Sequence, residues 1–490
     1  VGGGNVDGDL DMEGDGVGLG DSGMDVCEIT RTINLIEQWI GEIKSEVEKS
    51  VAEDEKENLE GFGDDQFWDD VHGGALPTGE VKKGRKEEVD YMEGRQIWSL
   101  KPVKECWDKT GKAPVSVRWV NTNKGTKSKP EVRCRLVARD FKGMDKDRDD
   151  LFAETPPLEG KRLVLSRGAS TRMDGRKRCV LFIDAKKAHL NPKCEEDVYI
   201  ELPPECGHPP GMCGKLNFWL YGFRPAAAAW ERHYSELLES KGFKKGRSCG
   251  VVFYHPGLDV SLVVHGDDFT LSGTREDVLE VQGWLKSWFE IKVRGIIGER
   301  PDDLKEISIL GRRVRWTSEG IEYEADPRHR EELMTYFGFR ENSKGVTTNG
   351  DKHEKEADGD EEELGKEEAT VFRGLAARLN FLSQDCPDLQ FPSKVHAREM
   401  ANPTVGSFKG LKKMVRYLIN RPKVVWNFKF QPDGAKAYVA SDSDWGGDKK
   451  DRRSTSGGVW MVGEHCIKTW SATQGAIALS SGEAELYAIV

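Results

Sequence analysis

Two apolar runs that end on carboxylates constrain this chain more than any other feature. Val180-Leu181-Phe182-Ile183-Asp184 strings together branched and aromatic side chains, which suits a buried strand, and then delivers an acid. Some 80 residues later Ser261-Leu262-Val263-Val264-His265 runs into Gly266-Asp267-Asp268 and out through Phe269-Thr270-Leu271, which predicts a hairpin with two adjacent acids at its turn. Taken singly, a strand-end Asp is a cap and a Gly-Asp-Asp is a turn. Taken together, three acids against apolar flanks are expensive to hold uncompensated, and divalent cations would compensate them. Three carboxylates from two neighbouring strands supply the hard oxygen ligands that Mg²⁺ prefers, and two ions roughly 3.5–4 Å apart can clamp the attacking and leaving oxygens of a phosphoryl transfer. A third motif between them, Leu220-Tyr221-Gly222-Phe223-Arg224, opens a helix and is suited to lay a glycine backbone and a cation beside a bound nucleotide.

The surroundings ask for a mixed sheet with helices on it. Between residues 95 and 275 the runs VSVRWV, RCRLVA, CVLFID, VVFY and SLVVH alternate with helical stretches such as 226–241, and 278–289 continues the alternation. Farther on, Leu375, Leu379 and Leu382, then Leu411, Met414 and Leu418, recur at helical spacing, whereas AYVASDSDW and GGVWMV read as strands. A length of 490 residues leaves room for about three domains. The start at Val1 and the stop inside a helical pattern at Val490 read as a fragment or an incomplete gene model.

Charge is segregated along the chain. Residues 1–80 hold 22 acidic and 4 basic side chains, and residues 351–368 hold ten acids and three bases, so the remainder carries a net charge of +13 beneath an overall −12. The first segment reads as a Gly- and Asp-rich linker with one amphipathic stretch at 29–51, marked by Ile33, Ile36, Ile40 and Ile43; the second reads as a surface insertion. Residues 101–142 carry twelve bases against four acids, with Trp107, Trp119 and Phe141 among them. That pattern suits phosphates and bases, and equally a solvated lysine-rich face. The ten cysteines form no C-x-x-C pair, which argues against a zinc site or a disulfide framework and for a reducing compartment. No apolar run reaches the roughly 18 residues of a membrane span and no signal peptide opens the chain, so a soluble intracellular protein is expected, not secreted and without membrane partners.

In their order, the motifs resemble the reverse transcriptase region of a copia-type retrotransposon Pol polyprotein, from about residue 96 through 311 and on into the start of a ribonuclease H domain. The resemblance rests on Arg118-Trp119-Val120, on Arg135-Leu136-Val137-Ala138-Arg139-Asp140-Phe141, and on Phe152-Ala153-Glu154-Thr155-Pro156-Pro157. It continues through Asp184-Ala185-Lys186-Lys187-Ala188-His189-Leu190, Val198-Tyr199-Ile200-Glu201-Leu202-Pro203, Leu220 to Arg224 with Trp230, and Gly266-Asp267-Asp268. Phe372-Arg373-Gly374-Leu375, Leu379-Asn380-Phe381-Leu382, Cys386-Pro387-Asp388-Leu389, Asp442-Ser443-Asp444-Trp445 and Gly482-Glu483-Ala484-Glu485-Leu486 complete it.

The fold this resemblance implies is α+β: an acidic, largely disordered linker (1–85), right-hand polymerase fingers and palm (95–310), a thumb- or connection-like helical segment (311–430) and a truncated ribonuclease H-like α/β domain (436–490). It implies RNA-directed DNA polymerisation, with Asp184, Asp267 and Asp268 holding two Mg²⁺, Mn²⁺ being the alternative ion. Arg118, Arg135 and Arg139 would neutralise the triphosphate, Gly222 and Arg224 would lie beside the nucleotide, and His189 would stand against its sugar. The partners implied are an RNA template, a DNA primer, the RNA–DNA hybrid and deoxynucleoside triphosphates, and the setting a cytoplasmic virus-like particle or the nucleus. Oligomeric state is left open. Asp442 and Glu485, with Asp444 a weaker choice, would be a ribonuclease H remnant with too few acids for activity.

Departures from the family pattern are as informative as the matches. His189 replaces a bulky aromatic that excludes a ribose 2′-hydroxyl, His265-Gly266 replaces a tyrosine and an apolar residue, and Pro225-Ala226-Ala227-Ala228-Ala229 replaces a stretch with a glutamine and an arginine. These losses leave two other readings open: a decayed relic that only binds nucleic acid, and an unrelated metal-dependent phosphotransferase or nuclease.

Overall fold

The computed structural model describes residues 66–126, 129–141, 151–349, 360–448 and 451–489. The isoleucine-spaced stretch 29–51 and residues 351–359 of the acidic run lie outside them. Two compact units are present. Of the described residues, the larger takes those from 66 to 440 and Gly457–Ser471, and the smaller those from 441 to 456 and from 472 to 489.

Helix α1 (Thr78–Gly94) starts inside the segment expected as linker through residue 85. Its reason is local: Val81, Val89 and Met92 fall on one face and are buried, enough apolar surface to hold a helix whose other faces are charged. Strand β1 (Trp98–Pro102) follows, then β2 (Val117–Asn123) and β3 (Val132–Ala138), an antiparallel pair with Arg118 opposite Val137 and Val120 opposite Arg135. Alternation buries Cys134, Leu136 and Ala138 and leaves Arg133, Arg135 and Val137 on the other face.

The main sheet is assembled from distant segments. Helix α2 (Leu158–Gly168) precedes β4 (Cys179–Ala185); β5 (Met212–Leu216) pairs with β1; helix α3 (Ala226–Ser240) leads into β6 (Lys244–Lys245), β7 (Val252–His255), β8 (Val260–His265) and β9 (Asp268–Gly273). Helix α4 (Arg275–Trp288), N-capped by Thr274, and β10 (Ile291–Ile297) close the region. The strand order is β6-β7-β8-β9-β4-β10, antiparallel throughout.

Both faces of this sheet are covered. Cys179, Leu181, Ile183, Leu262, Val264, Phe269 and Leu271 pack with Trp230, Tyr234 and Leu238 of α3 and Val278, Val281 and Leu285 of α4. The alternate residues Val180 and Phe182 pack on Leu165 and Ala169 at the α2 end. The acids belong to this second set, because Asp184 follows Phe182 at the period of two and Asp268 lies directly opposite it.

A second sheet, β11 (Glu306–Ile309), β12 (Arg312–Trp316) and β13 (Gly320–Glu324), is completed by β14 (Val425–Lys429) after four helices: α5 (Pro327–Tyr336), α6 (Lys366–Ser383), α7 (Pro387–Arg398) and α8 (Val405–Asn420). The helices share a core of Leu333, Phe372, Leu379, Leu389, Leu411 and Met414. Buried Asp385 joins this region to the main sheet. It accepts from Arg162 of α2 at 2.8 Å, from Arg312 at 2.8 Å and from the Tyr323 hydroxyl at 3.0 Å. Removing Asp385 would leave two buried guanidinium groups without their shared partner, the costly way to break such a cluster.

The remaining strands are β15 (Ala437–Ser443), β16 (Thr455–Val462) and β17 (His465–Thr473), with a last helix α9 (Ser481–Ile489). Among the described residues no helix is long and apolar enough to cross a membrane.

Candidate active site

The antiparallel register builds the site. Asp268 is the direct partner of Asp184, His265 is the partner of Asp268 across the hairpin, and Lys292 of β10 is the partner of Asp184 on its other side. The amide of Ala185 donates to the carbonyl of Asp267 at 2.8 Å, which holds the turn over the end of β4. Gly266 makes that turn possible with φ +64, and its carbonyl accepts from the indole Nε1 of Trp230 at 2.8 Å. Trp230 itself is buried against Phe269 and Phe289, so helix α3 pins the acid-bearing turn from below. The helix motif therefore serves the aspartate motif through one hydrogen bond.

Burial and like charge set the electrostatics. Asp184 is pushed above the usual carboxylate range first by desolvation and then by Asp267, while Arg294, Arg133 and Lys292 oppose the shift. Asp268 is raised for the same leading reason, with Asp267 and Asp184 adding to it and Arg294 working against it from 3.4 Å. Asp267 is exposed at the turn. Beneath them, the buried ammonium of Lys161 on α2 is pushed down to about 8 by burial and by Arg312, with Asp268 and Asp385 pulling the other way. His265 is pushed down to about 4 by burial, then by Lys161 and Arg312, so its ring is neutral at physiological pH.

The other sequence candidates fall into two groups. His189, on the 3-10 turn Ala188–Leu190, has its ring centroid 5.7 Å from that of Tyr221, and the Arg135 guanidinium stands 5.8 Å from the same tyrosine ring. Burial lowers the His189 pKa, Asp267 pulls it up and Arg135 pushes it down, so acid, imidazole and guanidinium share one neighbourhood. Arg118 on β2 and Arg139 just past the end of β3 are both exposed, outside those contacts. Arg224 is turned to Asp140, which accepts from its amide at 3.1 Å and faces its Nε at 3.6 Å.

Gly222 lies tightly against protein backbone. At φ +86, a β-carbon there would stand 2.2 Å from the Ala138 carbonyl oxygen and 2.5 Å from Val137 Cγ1. The close approach seen here is to the backbone of β3, and the Tyr221 carbonyl seals it by accepting from the Ala138 amide at 2.7 Å. Arg133, Arg294, Lys292 and Lys161, the cations that act on the acids, were not singled out from sequence. Arg133 was legible in principle, two residues before Arg135 on the same strand face.

In the smaller unit, the amide of Ser443 donates to Asp442 at 2.9 Å and to Glu485 of α9 at 3.4 Å, so these two acids meet at one backbone group. Asp444 turns away and accepts from the Thr455 amide at 2.7 Å.

Residues 103–299, which contain the sheet and its acids, match the family described as reverse transcriptase (RNA-dependent DNA polymerase). This region is a reverse transcriptase domain. Over 430 residues, 84% of its length, the chain is 25% identical to the retrovirus-related Pol polyprotein from transposon TNT 1-94 of Nicotiana tabacum, covering 30% of it. It is 26% identical over the same share to that from transposon RE1 of Arabidopsis thaliana, covering 27%. The chain is thus similar to retrovirus-related Pol polyproteins of plant transposons and spans under a third of the length of these curated relatives. A foamy viral protease-reverse transcriptase in complex with double-stranded DNA aligns over 84% of this chain and 59% of its own, with a TM-score of 0.48 and 12% identity.

Proposed function

We propose that this chain polymerises DNA on an RNA template, with Asp184, Asp267 and Asp268 as ligands for two Mg²⁺ ions. The observation that carries the reading is the register pairing of Asp184 with Asp268 at the ends of two interior strands of a covered sheet, where burial and mutual repulsion raise both acids. An all-oxygen donor set with excess negative charge is what Mg²⁺ or Mn²⁺ fits. Bound there, such ions would lower the pKa of a primer 3′-hydroxyl, orient the α-phosphate and stabilise charge on departing pyrophosphate.

The chain's own groups do the positioning. Trp230 and the Ala185 amide fix the hairpin so that the acids cannot swing apart. Arg135, with Arg133 on the same strand face, supplies positive charge for a triphosphate, and guanidinium suits this because it offers paired donors and stays charged. His189, held neutral beside Tyr221, faces the sugar of an incoming deoxynucleoside triphosphate. The exposed Trp107 and Phe141 within the basic stretch 101–142 offer stacking surface to single-stranded template.

Primer extension on an RNA template with Mg²⁺ tests the reading. The parent chain should extend the primer and Asp184→Asn should not. An inactive parent that still binds the hybrid would favour the relic.

A further inference from the structure

The far end of α1 gathers three side chains that polymerisation does not use. Glu93 on α1, and Cys206 and His208 on the loop after the short strand Tyr199–Ile200, each place a ligand atom within 4.8 Å of the other two, the one such trio of histidine, cysteine or acidic groups among the described residues. His208 Nε2 lies 2.9 Å from Glu93 Oε1. Gly207 between the cysteine and the histidine takes φ +68, which ends the 3-10 turn Pro204–Cys206 and lets both flanking side chains turn toward α1. The hydrogen bond between His208 and Glu93 accounts for two of the groups and leaves the half-buried Cys206 thiol unexplained beside two carboxylates. The two carboxylates are Glu93 and Glu205, and a cation is what would engage the thiol, because coordination deprotonates it outright. Glu205 is engaged elsewhere, accepting from Arg85 at 2.9 Å.

We propose that Glu93, Cys206 and His208 form a three-ligand site for a borderline transition-metal dication of the Zn²⁺ class, clamping α1 to the loop that follows Tyr199–Ile200. Carboxylate, imidazole and thiolate are the donors Zn²⁺ takes, whereas Mg²⁺ demands oxygen alone, so the site is chemically distinct from the aspartates. Bonds of about 2.0–2.3 Å would bring the ligand atoms to about 3.5 Å of one another, which movement of flexible side-chain tips can supply, and the fourth position is left to water.

The test is a Co²⁺ titration of the metal-free full chain. A near-ultraviolet thiolate-to-cobalt charge-transfer band should appear, be displaced by Zn²⁺ and persist in excess Mg²⁺. Cys206→Ser should abolish the band and Cys249→Ser should keep it. Glu93→Gln, which can still hydrogen-bond His208, should weaken Co²⁺ binding at least about tenfold, the scale at which even supporting residues of metal sites act. Zn²⁺ should raise the Tm of the parent and leave that of Cys206→Ser unmoved. A parent without the band, a band that survives in Cys206→Ser, or one lost to excess Mg²⁺ would overturn the proposal. None of these outcomes depends on whether the chain polymerises.

Discussion

Two strands in this chain end near an aspartate, and they are built differently. Asp184 is the penultimate residue of β4 and follows five buried residues, whereas Asp442 stands on β15, most of which is exposed. Helix α9, which brings Glu485 to the Ser443 amide, likewise leaves Leu486 and Ile489 exposed at 57% and 73%. The contrast teaches that the surroundings, not the residue type, decide what a strand-end acid needs. An acid at a strand end inside a covered sheet is penalised for its charge and calls for cations; one on an open strand is solvated by water and calls for none.

Polymerisation should separate the two regions most sharply. Asp184→Asn or Asp268→Asn is expected to drop primer extension to background, because the carboxylates are the proposed metal ligands and amides are poor substitutes. Asp442→Asn and Glu485→Gln should leave extension unchanged. Equal losses in both pairs would break the distinction.

The acid motifs were legible because their signal is one of contrast: apolar runs of strand length interrupted by carboxylates leave few alternatives. The strands around Val120, Leu136, Leu181 and Val263 and the helices near Trp230, Leu285, Leu379 and Leu411 were legible for the same reason, as periods of two and 3.6. What the periods do not encode is which distant residues a register brings together. Arg294 and Lys292 reach the acids only because β10 pairs with β4, a choice made by the whole sheet. Glu93 meets Cys206 and His208 across more than a hundred residues, so no local spacing rule of the C-x-x-C kind could find them. The contact of Gly222 with the Ala138 backbone is of the same kind, since sequence does not say which distant strand approaches a glycine.

That position gives the next largest effect. Gly222→Ala places a β-carbon 2.2 Å from a backbone oxygen that has no flexible end to yield, at a φ that side chains disfavour. Overpacking of this kind costs about 1–3 kcal/mol, and a left-handed non-glycine residue adds about 1–2 kcal/mol. The expected outcome is a lower Tm together with lost extension. Lost extension at an unchanged Tm would instead return the glycine to the nucleotide.

His189→Phe sharpens the comparison within the covered site. Phenylalanine fills space beside Tyr221 without nitrogen atoms, whereas a neutral imidazole can hydrogen-bond the 2′-hydroxyl of a ribonucleotide. An apolar contact of this size is worth about 1–3 kcal/mol, so the variant should reject ribonucleotides roughly 10- to 200-fold better than the parent in single-nucleotide incorporation. Equal ratios would show that His189 does not read the sugar.

The smallest effect is on stability, and it probes the physical premise itself. Asp184 and Asp268 have folded-state pKa values above their unfolded values, so the native chain binds more protons than the unfolded chain from the ordinary carboxylate range up to the raised values. Stability contributed by these groups must therefore fall as pH rises through that window and stay low at neutral pH. Asp268→Asn removes the repelled charge and should stabilise the metal-free chain at pH 7 by about 0.5–1 kcal/mol, the low end for charge-relieving changes because solvent still screens this acid. The gain should shrink below the carboxylate range, where the parent acid is protonated in both states, and should shrink again when Mg²⁺ is added to the parent at pH 7. Asp442→Asn, on the open strand, should move stability by less than about 0.5 kcal/mol at either pH. Thermal melts of the three chains at pH 7 and near pH 4 decide it: an Asp268→Asn that is destabilised at pH 7 would mean that the acid is already compensated by Arg294 and that the covered site carries no unmet charge.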